Sequence, residues 1–210
     1  METGEAIRIV SMQAIGLENA AAVMARAFFD EPLFVAGFPS AEERERVMPW
    51  IAQWTVRFGL AFGTVLISQD FSGTAIAYQA TESEHVFSAD RVSATEDELR
   101  DQLGTSAWTR YERMMHLWET ADEHLSRSVS GPYWYLDLIA VEPSRQGSGI
   151  GGALLQAVHG LADADGWPTV LLTFRARNVP FYERHGYEVV ATGTVPNADL
   201  DYWGLQRAQR

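Results

Sequence analysis

Apolar residues follow two rhythms along the chain, and each switch between them marks an element. Short alternation makes "AIRIV" a first strand. "GLENAAAVMARAFFD" then sets Ala20, Val23, Met24 and Phe28 at helical spacing. "DEPLFVAGFPS" breaks that rhythm and reads as a turn-rich connection. Ser40 and Glu43 form an S-x-x-E box, which satisfies the first amides of a helix reciprocally, so a second helix runs to about Phe58. "GTVLISQD" and "GTAIAYQA" predict a hairpin that turns near Phe71 to Gly73. A polar stretch covers Thr81 to about Thr105. Beyond it, Trp108, Tyr111, Met115, Trp118 and Leu125 share one face of a long helix, a stripe that suits core, a lid or a cavity wall.

"YWYLDLIAV" is the strongest strand signal in the chain. Glycines follow it, then a helix that buries Leu154, Leu155, Val158 and Leu161 and stops at Gly166. "PTVLLTF" is the next strand, "NVPFYERHG" a short helix ended by Gly186, and "YEVVATGTV" and "LDYWGLQR" an antiparallel closing pair. Strand, helix and strand around the glycines predict a parallel right-handed unit. The class is therefore α/β (α+β), with one domain over residues 1–210 and a helical insertion at about 90–128.

Composition narrows the function. The chain has 210 residues and is 47% hydrophobic, enough for a sizeable core. It lacks any apolar run of about 18 residues, so no membrane span is expected. "METGEAIRIV" has no basic region followed by an apolar stretch, so a cytoplasmic protein fits best. The absence of cysteine excludes disulfides, thiolate nucleophiles and cysteine-bound zinc. A net charge of -12 argues against a nucleic-acid partner, which needs a basic face. All 16 basic residues are arginine. No two histidines stand at H-x-x-x-H spacing, so no metal site is expected.

The chemistry centres on "RQGSGIGGALL". Gly147, Gly149 and Gly152 satisfy G-x-G-x-x-G, the pattern of a dinucleotide-binding turn. Context opposes that reading. "EPSRQ" separates Val141 from Gly147, whereas the dinucleotide turn begins at the end of its strand. The next strand runs into "LLTFRARN", with Arg175 and Arg177 where a ribose-binding acid is required. No Lys-Ser or Lys-Thr follows, which excludes a Walker-type loop.

A frame beginning at Gln146 fits better: Gln146, Gly149 and Gly151 spell Q-x-x-G-x-G. Together with "LIAVEPSRQGSGIGGALL" and "RNVPFYERHGYE", it resembles the GNAT superfamily of acetyl-CoA-dependent N-acetyltransferases over about Tyr133 to Tyr187. "WYLDLIAV", "NVPFYER" and "VPNADLDYWGL" are most similar to the puromycin acetyltransferase-like branch. The resemblance implies the GNAT fold: a mixed, mostly antiparallel sheet with one splayed parallel pair, flanked by helices. It implies acetyl-CoA as co-substrate and no metal.

Physical chemistry agrees with that frame. Glycines at 147, 149, 151 and 152 leave backbone N–H groups free to converge on a pyrophosphate at a helix N-terminus, with Ser148 and Ile150 completing the loop. The resemblance implies that backbone groups of Ile139 and Val141 hold the pantetheine arm beside a splay between parallel strands. Amides near Ile139 and Ala140 would stabilise the oxyanion. Tyr182 matches the family's general acid, placed to protonate the leaving thiolate. Asn178 matches an asparagine near the pantetheine, although its spacing to Tyr182 is shorter than the common pattern.

The base is open. Strand alternation puts Tyr135, Asp137 and Ile139 on one face. Asp137 is a lone carboxylate in an apolar strand, which is costly unless it is paired or faces a cleft. It is a candidate base or amine ligand, with a structural hydrogen bond as the alternative. Tyr135, Asp30, Glu31, Glu82, Glu84 and His85 are acceptor-side candidates, with His85 a second possible base. The acceptor expected is a small-molecule primary amine, and the chain a monomer or homodimer. A protein N-terminus or lysine acceptor, and a non-catalytic acetyl-CoA sensor, are the alternatives.

Overall fold

The computed structural model describes residues 7–12, 16–81, 86–93 and 95–210. In chain order its elements are β1 (Ile9–Ser11), α1 (Leu17–Ala27), α2 (Pro32–Gly37), α3 (Ala41–Phe62), β2 (Thr64–Ser68), β3 (Gly73–Ala80), α4 (Ala89–Ser93), α5 (Asp97–Ser128), β4 (Tyr133–Val141), α6 (Ile150–Asp165), β5 (Thr169–Thr173), α7 (Val179–Glu183), β6 (Glu188–Val195) and β7 (Leu200–Arg207). The strands form one sheet in the order β1-β2-β3-β4-β5-β7-β6. Only β4 and β5 pair in parallel; the other neighbours are antiparallel. This is the mixed, mostly antiparallel sheet with one parallel pair that the sequence implied.

Two cores form because each strand alternates its side chains between two covered faces. On one face, Val47, Ile51, Val56 and Phe58 of α3 and Met114, Ala121 and Leu125 of α5 pack with Tyr78, Tyr135 and Leu138. On the other, Leu154, Leu155 and Val158 of α6 pack with Trp134, Leu136, Leu171 and Leu205. Ser40 caps α3 by accepting from the Glu43 amide at 3.3 Å, and Gly166 ends α6 in a left-handed conformation. The glycine stop acts where the sequence placed it; the box forms only by its Ser40 half, because the Glu43 carboxylate accepts from Arg110 instead. No helix among the described residues is long and apolar enough to cross a membrane.

Two stretches differ from expectation. "PLFVAG" is a short helix, started by Pro32 in its first turn and anchored by Leu33 and Phe34. The polar stretch before Thr105 holds α4 and the first turns of α5, which bury Leu99 and Leu103. Gly104 breaks α5 there with φ 71 and ψ 162. One apolar pair at i, i+4 among so many charges is too sparse for periodicity to register.

Arg44 secures the segment between α1 and α3. It is buried, yet its guanidinium donates to the carbonyls of Phe29 at 2.8 Å, Phe38 at 2.8 Å and Pro39 at 2.9 Å, and meets Asp30 at 3.2 Å. Arg44→Ala strands those carbonyls and is expected to cost about 3 kcal/mol in chemical denaturation. Arg44→Lys should recover less than half, because a point-like ammonium cannot span the three carbonyls.

Candidate active site

The site is built from one irregularity in β4. Across β3 the register runs Ala75↔Ile139 and Ile76↔Leu138, then Ala77↔Leu136, which leaves Asp137 as the extra residue of a β-bulge. The bulge corrects the expected alternation. Tyr135 shares a core with Leu138 and Ala140, whereas Leu136 and Trp134 share the opposite core with Ile139 and Val141. Tyr135, Asp137 and Ile139 therefore do not lie on one face.

The other edge of β4 opens at the same point. Pairing with β5 covers only Trp134, Tyr135 and Leu136, while β5 continues beside β7 to Thr173. From Asp137 onward the two parallel strands part. A cavity of about 670 Å³ occupies this notch, and its lining extends from the glycine loop to rings of α3 and α5.

The glycine end is shaped by backbone. Pro143–Arg145 forms a single 3-10 turn, and Gln146 returns its amide to the Val141 carbonyl at 3.3 Å. Gly147 and Gly149 take φ of 80 and 90, left-handed values that glycine adopts freely. Gly149 is the cap of α6, whose first amides have no acceptor within the helix. A Cβ on Gly151 would meet Phe181 and Val141 at 3.6 and 3.7 Å, ordinary contact distances, so a larger side chain would fill the cavity rather than the core. Gly152 faces His185, whose Nε2 lies 3.2 Å from such a Cβ. Ile150 also lines the cavity; Ser148 does not, and its hydroxyl donates to the Arg145 carbonyl at 2.6 Å. Ala140 is fully buried and belongs to the opposite core, whereas Ile139 and Val141 line the cavity.

Past the notch lie the side chains of α7 and its approach. Tyr182 lines the cavity against Phe181 and Tyr187, with ring centroids 5.2 and 5.7 Å away. Burial first, then the Glu31 charge, raise its pKa, so the phenol stays protonated at neutral pH. Asn178 also lines the cavity and donates to Thr173 Oγ1 at 3.1 Å. Glu31 lines it too, but its carboxylate accepts from Arg175 Nε at 2.7 Å. Arg175 also donates to the Asp30 carbonyl, tying the segment after α1 to the end of β5.

At the far end is an aromatic chamber. Phe58 stacks on Phe87 at 5.6 Å, Tyr78 and Trp118 meet Phe87 edge-on at 5.4 and 5.0 Å, and Trp54 meets Tyr111 at 6.3 Å. Asp137 is half-buried in the wall of this cavity. Burial, with a smaller contribution from the Asp122 charge, raises its pKa to about 7. Tyr135 is buried behind the chamber: burial first, then the Asp122 charge, raise its pKa; it touches the rings of Phe87 and Trp118 and does not line the cavity. Glu82, Glu84 and His85 lie outside the described residues.

Four of the chamber rings and Arg184 were not singled out in the sequence, and Arg177 was noted there only as evidence against a ribose-binding acid. Trp54, Phe58, Tyr78 and Phe87 come from α3, β3 and the turn before α4, and no local spacing connects them. Arg177 and Arg184 line the cavity beside the glycine loop's partner helix α7. In an acidic chain, "FRARN" was a usable signal: Arg175 pairs with Glu31, whereas Arg177 has no carboxylate partner among the described residues. No group of three metal-ligating side chains occurs among the described residues.

A single splayed parallel pair, with a glycine-opened helix facing it, defines the GNAT fold. Residues 96–189 match the model of the acetyltransferase (GNAT) domain. An uncharacterized N-acetyltransferase of Bacillus subtilis (strain 168), YjcF, is 34% identical over 75 residues, or 36% of this chain and 54% of that protein. The match thus spans about half of that relative's length. Arylalkylamine N-acetyltransferase 2 of Aedes aegypti has a similar fold, with a TM-score of 0.67 at 14% identity over 98% of this chain and 100% of that one. A histone acetyltransferase and related acetyltransferase structure of Corynebacterium glutamicum gives 0.64 at 17% identity over 97% of both chains.

Proposed function

We propose that the chain is an N-acetyltransferase that moves the acetyl group of acetyl-CoA to the primary amine of a small molecule within a ternary complex. The observation that carries this reading is the notch at Asp137, which joins a phosphate-fitting loop to a chamber holding one ionisable carboxylate. The residues fit coenzyme A: the free amides of α6 and the cavity that Gly147, Gly149 and Gly151 line suit the pyrophosphate, and Arg177 and Arg184, which have no carboxylate partner among the described residues, supply positive charge to the same cavity. When bound, acetyl-CoA supplies the activated thioester.

This chain's residues then act in order. Asp137 accepts a proton from the incoming ammonium, which frees the lone pair that attacks the carbonyl carbon. Amides near Ile139 hold the developing oxyanion. As the C–N bond forms and the C–S bond breaks, Tyr182 gives its proton to the sulfur; the nitrogen sheds its second proton to solvent on becoming an amide, and solvent returns a proton to the phenolate. Burial keeps that proton in place until the thiolate forms.

The test is thiol release from acetyl-CoA across a panel of amines. Tyr182→Phe is expected to lower kcat about 100-fold, the low end of a general acid's contribution, with acetyl-CoA affinity unchanged. Thermal stabilisation by acetyl-CoA without thiol release from any amine would instead mark a non-catalytic sensor. Absence of acetyl-CoA binding would overturn the reading outright.

A further inference from the structure

The chamber's charge inventory restricts what can sit in it. Among the described residues, the cavity is lined by two carboxylates, Glu31 and Asp137. Glu31 is already engaged by Arg175 at 2.7 Å. Asp137 has no such partner, and Asp122 stands close enough to add to its negative field. The cavity-lining arginines belong to the glycine loop and the segments around α7, not to α3 or α5. Among the described residues, one positive charge therefore finds a partner in the chamber and a second does not. A carboxylate on the acceptor would face Asp137, in the added field of Asp122, with no arginine of the chamber among the described residues to offset it.

The walls restrict the body of the acceptor. Trp54, Phe58, Tyr78, Phe87, Tyr111 and Trp118 surround the space past the notch. Rings meeting at edge-on and stacked angles offer faces and edges to a flat aromatic group, and their faces also attract a cation. From these two constraints we infer that the acceptor is an aromatic monoamine: one primary amine on a short arm, a flat ring, and no second charge. This rests on the acetyltransferase reading and names the substrate class of the same site. Trp118, half-buried on α5 and 5.0 Å from Phe87, is the specificity-determining ring.

The test compares compounds that differ by one feature, using the whole chain. Phenylalanine differs from 2-phenylethylamine by a carboxylate, 1,4-diaminobutane from butylamine by an ammonium, and hexylamine replaces the ring by a flexible chain. In kcat/KM for thiol release, the carboxylate is expected to cost about 100-fold or more, by like-charge repulsion across a desolvated site. The second ammonium should cost about 10-fold or more, because it loses water without gaining a partner. Trp118→Leu keeps an apolar wall but removes the ring. It should cut the preference for 2-phenylethylamine over hexylamine about 10-fold, while the acetyl-CoA dissociation constant from calorimetry stays put.

Quenching of tryptophan fluorescence by the same amines reads the chamber without turnover, since Trp54 and Trp118 both line it. If the ring amines bind selectively but no thiol is released, the acceptor class stands and the catalytic reading falls. If diamine or amino acid is acetylated as readily as 2-phenylethylamine, or Trp118→Leu leaves the preference unmoved, catalysis stands and this inference is overturned.

Discussion

Gly151→Val is expected to weaken acetyl-CoA binding about 100-fold or more while leaving the apo protein folded. Gly151 sits in the first turn of α6 with ordinary backbone angles, so a side chain there adds no backbone strain. Its Cβ would touch Phe181 and Val141 at ordinary contact distances, and Gly151 lines the cavity, so the added bulk falls at the cofactor loop. Valine costs a helix only about 0.5 kcal/mol relative to good helix formers. What it removes is the approach of phosphate oxygens to the free amides, contacts that are charge-assisted and therefore strong. Gly149 would be a poorer probe. Its φ of 90 strains any side chain, so lost binding there could reflect a damaged loop. Isothermal calorimetry with acetyl-CoA, paired with a thermal melt of the apo protein, separates the two effects. Unchanged affinity in a folded Gly151→Val protein would remove the pyrophosphate role from this loop.

That contrast between neighbouring glycines shows which parts of the site were legible in the sequence. The loop, α6, β5 and α7 follow one another in sequence, and each carries its own local signal: φ-permissive glycines, 3.6-residue spacing, a stop at Gly166. Gln146, Gly149, Gly151 and Tyr182 could therefore be singled out before any coordinates, and all line one cavity. Alternation in β4 failed at Asp137 because a bulge is a property of two strands. It exists only in the register of Ile76 and Ala77 against Leu136 and Leu138, and nothing in "YWYLDLIAV" alone encodes it. The chamber was hidden for a similar reason. Its rings lie far apart in sequence on α3, β3, α5 and the turn before α4, and each alone reads as ordinary core. Glu31 was legible as a polar residue in a connection, but its pairing with Arg175, which sits 144 positions away, was not.

Asp137→Asn should divide function from stability in opposite directions. Wild-type activity is expected to rise with pH through about 7 and then level, because Asp137 must lose its proton before it can accept the amine's. Asparagine cannot accept that proton, so kcat should fall about 100- to 1000-fold and lose this pH limb. Stability moves the other way. The folded protein holds the Asp137 proton up to about pH 7, whereas an unfolded chain releases it near pH 4. Between those values the folded state binds more protons. Its Asp137-linked stability is therefore fully present below about pH 4 and is lost as pH rises through 7. Asparagine, which never ionises, escapes that loss. The variant should thus match wild type in denaturation at acid pH and exceed it at pH 8. The rise from near 4 to about 7 sets a ceiling of about 4 kcal/mol on the gain, and water reaching the partly exposed carboxyl through the cavity reduces it. A variant that is slower yet sturdier at pH 8 marks a carboxylate kept at a bulge against its own desolvation cost, as a base requires. A variant that is less stable at every pH would mark Asp137 as a structural hydrogen-bond acceptor, and the base would have to be sought elsewhere in the chamber.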